Sequence, residues 1–409
     1  MLKRSLPIDW TIIICVLILI TAGSLAIFST TINSGVSENF YRQMIWVVIS
    51  LAMAVSFFFI NLRMFQIISI LLYGISLILL VLVLLVGREV YGSQSWLYIG
   101  PIGIQPSEFT KYTTVLMVAN YLSIGKAGRH IWVQPIVGVL IILVPVGLIL
   151  MQPDTGTALV FLGMTIPLLF WVGLDELVTF VLISPVICAV LAFINFYFFV
   201  GFIIIGILFI FAKRSNLFNS LLYISMNLAS GFGTVYFIEN VLLPHQRKRL
   251  EILLDPFIDP KGAGYNVIQS EVAIGSGGWF GKGFMEGTQT QLGFLPKQWT
   301  DFIFCVIAEE YGFIGGMILI ITFAVLLGRL LTIAGQTKNR FASVFLMGTV
   351  LVIGIHLFIN LGMTMGLLPI IGIPLPFVSY GGSSMLTFMA FTGTALAIYA
   401  QQRDELPSI

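Results

Sequence analysis

The sequence predicts an all-α, polytopic integral membrane protein of about 10–12 transmembrane helices with one large extracytoplasmic loop. Three observations carry this reading. Of 409 residues, 58% are hydrophobic and only 9% charged, against roughly 25% charged in a soluble domain. The mean hydropathy is +1.03. Apolar runs of about 20 residues, the length that crosses a ~30 Å hydrocarbon core, recur along the chain.

In order, such runs fall near 9–29, 43–61, 66–86, 106–123, 132–151, 157–173, 177–195, 199–213, 217–243, 302–327, 342–363 and 375–400. Met1, Lys3 and Arg4 precede the first run without a small-residue cleavage pattern, so it reads as a retained helix. The 199–213 run is short and could be half of a broken helix. The whole of 1–409 is taken as one membrane domain containing a loop at 244–300.

Positive charge in short loops sets orientation. With the N-terminus in the cytoplasm, the inside segments carry Lys3, Arg4, Arg63, Lys126, Arg129, Lys213, Arg214, Arg329, Lys338, Arg340 and Arg403, and the short outside loops only Arg42 and Arg88. A net charge of +2 with no basic tract gives no sign of nucleic acid. Cys15, Cys188 and Cys305 lie inside apolar runs without metal-type spacing and read as buried hydrophobes, not as a disulfide or zinc framework.

The loop at 244–300 breaks the charge pattern, because it falls outside yet carries Arg247, Lys248, Arg249, Lys261, Lys282 and Lys297 beside His245. Either it is a tolerated translocated segment, or its cations hold an anion, and phosphate is the natural match for clustered Arg. Pro256, Pro260, Gly262 and Gly264 mark turns, and Val267 to Ile274 reads as a short helix. Gly275, Gly277, Gly278, Gly281 and Gly283 would let backbone N–H groups approach a ligand, unless they merely turn the chain.

Asp301 stands where this loop meets the apolar run from Phe302, at the expected outer boundary. It is either a helix-capping acid or a base in a partly dehydrated site. Glu309 and Glu310 follow about two turns later, deeper in the membrane, as functional acids or structural partners. Glu108 and Lys111 are spaced for a local ion pair that is structural or lines an active cavity. Asp154 in a short outside turn reads as the cap of the span from Thr155. The stretch from His356 through Asn360, Pro369, Pro374 and Pro376 to Ser379, Ser383 and Ser384 cannot be regular helix throughout, so it reads as cavity wall.

Several stretches together resemble the SEDS family (shape, elongation, division, sporulation), in its RodA branch more than its FtsW branch. They are FYRQMIW at 40–46, IQPSEFTKY at 104–112, QPDTGTALV at 152–160 and the run from His245 to Phe284, then GTQTQLGFLP at 287–296, TDFIFCVIAEEYG at 300–312 and GLLPIIGIPLPFVSYGGSS at 366–384. They keep family order over nearly the whole chain. Trp299 stands where the family often has His, Ser95 where many members have Arg, and 177–243 holds three runs where one is typical.

The resemblance implies a peptidoglycan glycosyltransferase of the bacterial inner (plasma) membrane that polymerises lipid II onto a nascent glycan strand in cell elongation and shape maintenance. Its implied partners are a class B penicillin-binding protein and the elongation machinery. By the same resemblance Asp301 is the essential acid, Glu108 and Lys111 are the paired acid and lysine, and Arg247 and Arg249 are the basic residues before the DP motif. Lys282 joins those cations as a pyrophosphate contact, Asp154, Glu309, Ser379 and Ser383 support the cavity, and Mg²⁺ or Mn²⁺ is expected to support activity. Two rival readings are a lipid II flippase and a non-catalytic scaffold for a penicillin-binding protein.

Overall fold

The computed structural model of the chain describes residues 7–404 apart from 33–35, 91–92, 101, 125–132, 214–216, 241–254, 261 and 263. Among these residues ten helices are long and apolar enough to cross a membrane. The chain is a multi-pass helical membrane protein. It forms two compact units, one of residues 1–168 with 266–409, the other of 169–265.

The first unit begins with α1 (Trp10–Thr31), α2 (Glu38–Phe58) and α3 (Leu62–Val86). Asp9 caps α1 by accepting from Ile12 N at 3.2 Å, and Asn61 caps α3 by accepting from Arg63 N at 3.0 Å. Between α3 and the next helix lies an antiparallel sheet of β1 (Arg88–Val90), β2 (Ser93–Ile99) and β3 (Ile102–Ile104), with Leu97 opposite Ile104. The sequence reading placed Arg88 in a short outside loop here and named no strands.

Then come α4 (Pro106–Ser123), α5 (Val133–Leu150) and α6 (Thr155–Val172). Pro106 at the first position of α4 costs no hydrogen bond there. This helix packs against α3 and α5 as well as two later helices, so it faces protein nearly all round and buries Glu108, Thr110, Lys111, Thr113, Thr114 and Asn120. Its polar composition follows from that position.

In the second unit, α7 (Glu176–Ile194), α8 (Phe196–Ala212) and α9 (Leu217–Asn240) pack on one another. The short 199–213 run is thus one continuous helix, started by Asn195, which accepts from Tyr197 N at 2.8 Å. Asn227 donates to Ser184 Oγ at 2.9 Å, and Gly206 leaves the space that the Tyr223 ring fills.

The first unit resumes with α10 (Tyr265–Ser276), a single turn α11 (Thr288–Gln291), α12 (Ile303–Gln336), α13 (Arg340–Thr364) and α14 (Gly382–Asp404). The α12 run is broken at Gly312, whose φ of 67° and ψ of −163° are not helical. A straight helix would set Phe304 and Gly316 about 18 Å apart, yet a Cβ at Gly316 would lie 3.4 Å from the Phe304 ring. The helix therefore bends sharply. From Gly312 to Gln336 remain enough residues for about 36 Å, which crosses the ~30 Å core unaided.

Candidate active site

The turn that carries Asp301 is wound on one carbonyl. Lys297 adopts a φ of 55°, and its C=O accepts from Thr300 N at 3.1 Å and Thr300 Oγ1 at 3.2 Å. The Asp301 side chain is 12% exposed, buried but not sealed, with Lys297 Nζ at 3.9 Å from its Oδ2. Burial pushes the carboxyl above the usual aspartate range, while Lys297 and a hydrogen bond from Thr300 pull it back down.

Facing this turn is the proline-rich stretch between α13 and α14. Pro369, Pro374 and Pro376 keep Met365 to Gly381 out of helix, so its backbone groups need other partners. Ser379 Oγ donates to Thr300 O at 2.6 Å and accepts from Leu375 N at 2.8 Å. Tyr380 N donates to Trp299 O at 2.9 Å. Asn360 Nδ2 donates both to Asp301 O at 2.9 Å and to Ile373 O at 2.8 Å. Gly372, at φ 75°, passes so close that a Cβ there would lie 3.3 Å from Asp301 Oδ2. Asn360 lies about 20 residues beyond Arg340, or about 30 Å along α13. Asp301 thus sits roughly one hydrocarbon thickness from the Arg340 end.

Below this stretch runs a buried polar chain. Lys111 Nζ donates to Glu108 Oε1 at 2.7 Å, with side chains 1% and 4% exposed. The same ammonium lies 2.9 Å from His356 Nε2, and His356 Nδ1 lies 3.1 Å from Pro374 O. A carbonyl only accepts, so Nδ1 carries the proton and Nε2 accepts from Lys111. His356 and Asn360, one turn apart on α13, therefore hold the consecutive carbonyls of Pro374 and Ile373. Ser383 Oγ accepts from Gln105 N at 3.2 Å, and Gln105 Nε2 donates to Asp154 Oδ2 at 3.1 Å. Asp154 also caps α6, accepting from Thr157 N at 3.0 Å.

Glu309 organises a different region. Its Oε1 accepts from Lys282 Nζ at 2.7 Å and Gln289 N at 2.9 Å, and its Oε2 from Thr290 N at 3.0 Å, which caps α11. Glu310 accepts from Ser29 Oγ and, at 3.2 Å, from Met285 N. Where α12 opens at Gly312, Lys282 N donates to Glu309 O and Gly283 N to Glu310 O, each at 3.0 Å, and Phe313 N donates to Gly278 O at 2.8 Å. A Cβ at Gly277 would lie 2.0 Å from Ala308 O, and one at Gly281 2.1 Å from Glu310 O. Gly277, Gly281 and Gly283 are therefore used for backbone pairing with the opened helix, not for approach to a ligand. Lys282 has its charge matched by Glu309.

The structure brings Asp301, Ser379 and Ser383 to the proline-rich stretch and ties Glu108 and Lys111 to it through His356. Glu309 and Lys282 form their own cluster. Arg247 and Arg249 lie outside the described residues. Sequence reasoning placed His356 and Asn360 in a cavity wall but missed what they hold. Their four-residue spacing ahead of a proline-rich stretch was the available signal.

A family model described as a cell cycle protein family (FtsW, RodA, SpoVE) matches residues 5–201 and 196–404. The chain is 32% identical over 432 residues to "Peptidoglycan glycosyltransferase RodA" of Treponema pallidum, covering 96% of this chain and 98% of that one. It is 37% identical over 332 residues to "Peptidoglycan glycosyltransferase MrdB" of Escherichia coli, covering 81% and 78%. Among solved structures it resembles a chain from a peptidoglycan synthase complex described as coordinating polymerization and crosslinking, with TM-score 0.73, 30% identity and coverage of 99% and 100%. It also resembles the rod shape determining protein RodA of Thermus thermophilus, with TM-score 0.63, 26% identity and coverage of 98% and 99%. The matched length and the matched architecture together make this chain a member of the FtsW/RodA/SpoVE family.

Proposed function

We propose that this chain is a peptidoglycan glycosyltransferase that polymerises lipid II during cell elongation, with Asp301 as its general base. The observation that carries the base assignment is a carboxylate, partly dehydrated yet 12% exposed, on a turn whose backbone is held by Asn360 and Ser379. The acceptor sugar's 4-hydroxyl gives its proton to an Asp301 oxygen. The freed oxygen bonds to the donor's anomeric carbon as the bond to the lipid pyrophosphate breaks, and its electron pair stays on the phosphate. A pyrophosphate is a weakly basic leaving group, so the acid of an ordinary glycosidase pair is not required.

Arg247, Arg249 and Lys282 were the expected cations for that leaving group. Arg247 and Arg249 retain that proposed role, while Lys282 faces Glu309 at 2.7 Å. Mg²⁺ or Mn²⁺ would be held by one or two carboxylates together with substrate phosphates. Among the described residues no group of three or more His, Cys, Asp and Glu is placed to hold a metal, and Lys297 beside Asp301 adds positive charge. These residues do not make a resident metal site, and no step here runs through one.

The chain is read as an inner-membrane protein with a cytoplasmic N-terminus. The Arg329–Asp9 pair at 2.7 Å supports this, since it joins the start of α1 to the part of α12 nearest Lys338 and Arg340. A class B penicillin-binding protein and the elongation machinery are its proposed partners, in keeping with the synthase complex it resembles. The test is purified protein with that partner, given labelled lipid II. Polymer from the wild type and none from folded Asp301→Ala supports the reading. Leaflet exchange alone means a flippase, neither activity means a scaffold, and polymer from Asp301→Ala removes the base.

A further inference from the structure

The described cation nearest the proposed base is a lysine that the proton transfer itself does not use. Lys297 Nζ lies 3.9 Å from Asp301 Oδ2, and its side chain is 39% exposed. Its backbone is fixed by the turn it nucleates, with φ 55° and a carbonyl accepting from both Thr300 N and Thr300 Oγ1. The ammonium is thus partly exposed while 3.9 Å from the buried carboxylate, on a flexible four-carbon stem.

We propose that Lys297 is a catalytic residue that transfers its pairing from Asp301 to the departing pyrophosphate. This rests on the base role of Asp301. Before reaction the ammonium faces an ionised carboxylate. When the acceptor hydroxyl passes its proton to Asp301, the carboxyl becomes neutral and its attraction for Lys297 lapses. In the same event the acceptor oxygen bonds to the anomeric carbon, the bond from that carbon to phosphate breaks, and the pyrophosphate oxygen gains the negative charge. The charge lost on Asp301 appears on the leaving group, so the total is unchanged while the ammonium exchanges one anion for the other. Lys297 first holds the base ionised and then stabilises the charge that develops, which is the arrangement that favours the transition state over the ground state.

The elements packed on Asp301 offer no competing charge among the described residues. The proline-rich stretch presents Gly372 and backbone groups, and α13 presents the Asn360 amide. Of the titratable groups on neighbouring elements, His356 is engaged by Lys111 and Pro374, and Glu271 lies against Gly366. Tyr380 feels the charges of Arg42 and Glu38, on α2.

The test uses the full chain with its partner, lipid II as substrate and inorganic pyrophosphate as a binding probe. Lys297→Gln should lower kcat by about tenfold or more, a partly exposed donor being worth less than the 10²–10³ of a buried one. It should also move the acidic limb of the rate profile to higher pH, since the cation that favours the ionised base is gone. Lys297→Arg should restore most of the rate and the wild-type limb. Thermal protection by pyrophosphate should weaken in Lys297→Gln but persist in Asp301→Asn, where the competing carboxylate charge is removed. An unmoved limb with kcat within twofold, or undiminished protection in Lys297→Gln, overturns the proposal. Should Asp301→Asn itself polymerise, the base assignment fails, and the protection series still reports whether Lys297 meets the anion.

Discussion

Replacing Asn360 with leucine should cripple catalysis far more than its distance from any substrate would suggest. Asn360 is fully buried and its Nδ2 bridges Asp301 O and Ile373 O at 2.9 and 2.8 Å. Leucine keeps the branched shape but withdraws both hydrogen bonds and leaves two buried carbonyls with one donor fewer. At about 1–3 kcal/mol for each of the two groups so deprived, the variant should lose about 2–6 kcal/mol locally. The loss falls on the joint between the Asp301 turn and the proline-rich stretch. A displacement of the base by about 1 Å is worth roughly a hundredfold in rate. The assay is the initial rate of strand synthesis from labelled lipid II, with hydrogen exchange on the same preparation. The expected result is a kcat fall of about 10²-fold, a smaller change in KM, and faster exchange at the amides of 299–302 and of Gly372, Ile373 and Leu375. A rate within twofold of wild type, in folded protein, would refute the claim that this joint sets the base's position.

Three further perturbations test other parts of the account. Lys111→Met leaves the Glu108 carboxylate buried without its 2.7 Å partner, so it should cost about 3–5 kcal/mol. The double change with Glu108→Leu should recover much of that loss in a thermal or denaturant melt, whereas an uncorrected double variant would argue against a paired role. Glu309→Ala removes the acceptor of Lys282, Gln289 and Thr290, so protease cleavage should rise within 282–292 while α13 and α14 stay protected. The rate of strand synthesis should fall as pH drops, because a base must be ionised and burial lifts Asp301 above the ordinary aspartate value of about 3.9. The linkage has the same origin. A folded-state carboxyl that binds its proton more tightly than the unfolded chain makes its share of stability fall as pH rises from the unfolded value through the folded one.

Much of this architecture is legible in the residues, and the exceptions are physical. The run at 9–29 matches α1 to within two residues and that at 66–86 falls within α3, because lipid-facing and core-facing positions alike must be apolar there. The Glu108–Lys111 spacing shows the pair, since three residues apart on a helix is one face. Lys111 also meets His356, which is 245 residues away in sequence, and no local pattern encodes that contact. The break at Gly312 is hidden because a glycine inside an apolar run is ordinary, and only the facing backbone of 278–283 makes it a break. The same blindness made the glycine run resemble a ligand loop. The run at 375–400 was set too early, because Pro376 and the Ser379 hydrogen bonds delay α14 until Gly382.

The proposed proton transfer rests on a carboxylate held at the Asp301 turn, and an isosteric substitution isolates that charge. Asp301→Asn keeps the size and polarity of the side chain and removes the buried charge that burial disfavours. The expected result is a melting temperature at or above that of the wild type, together with loss of lipid II polymerisation by at least ~10²-fold. Strand synthesis at the wild-type rate in that variant would contradict it.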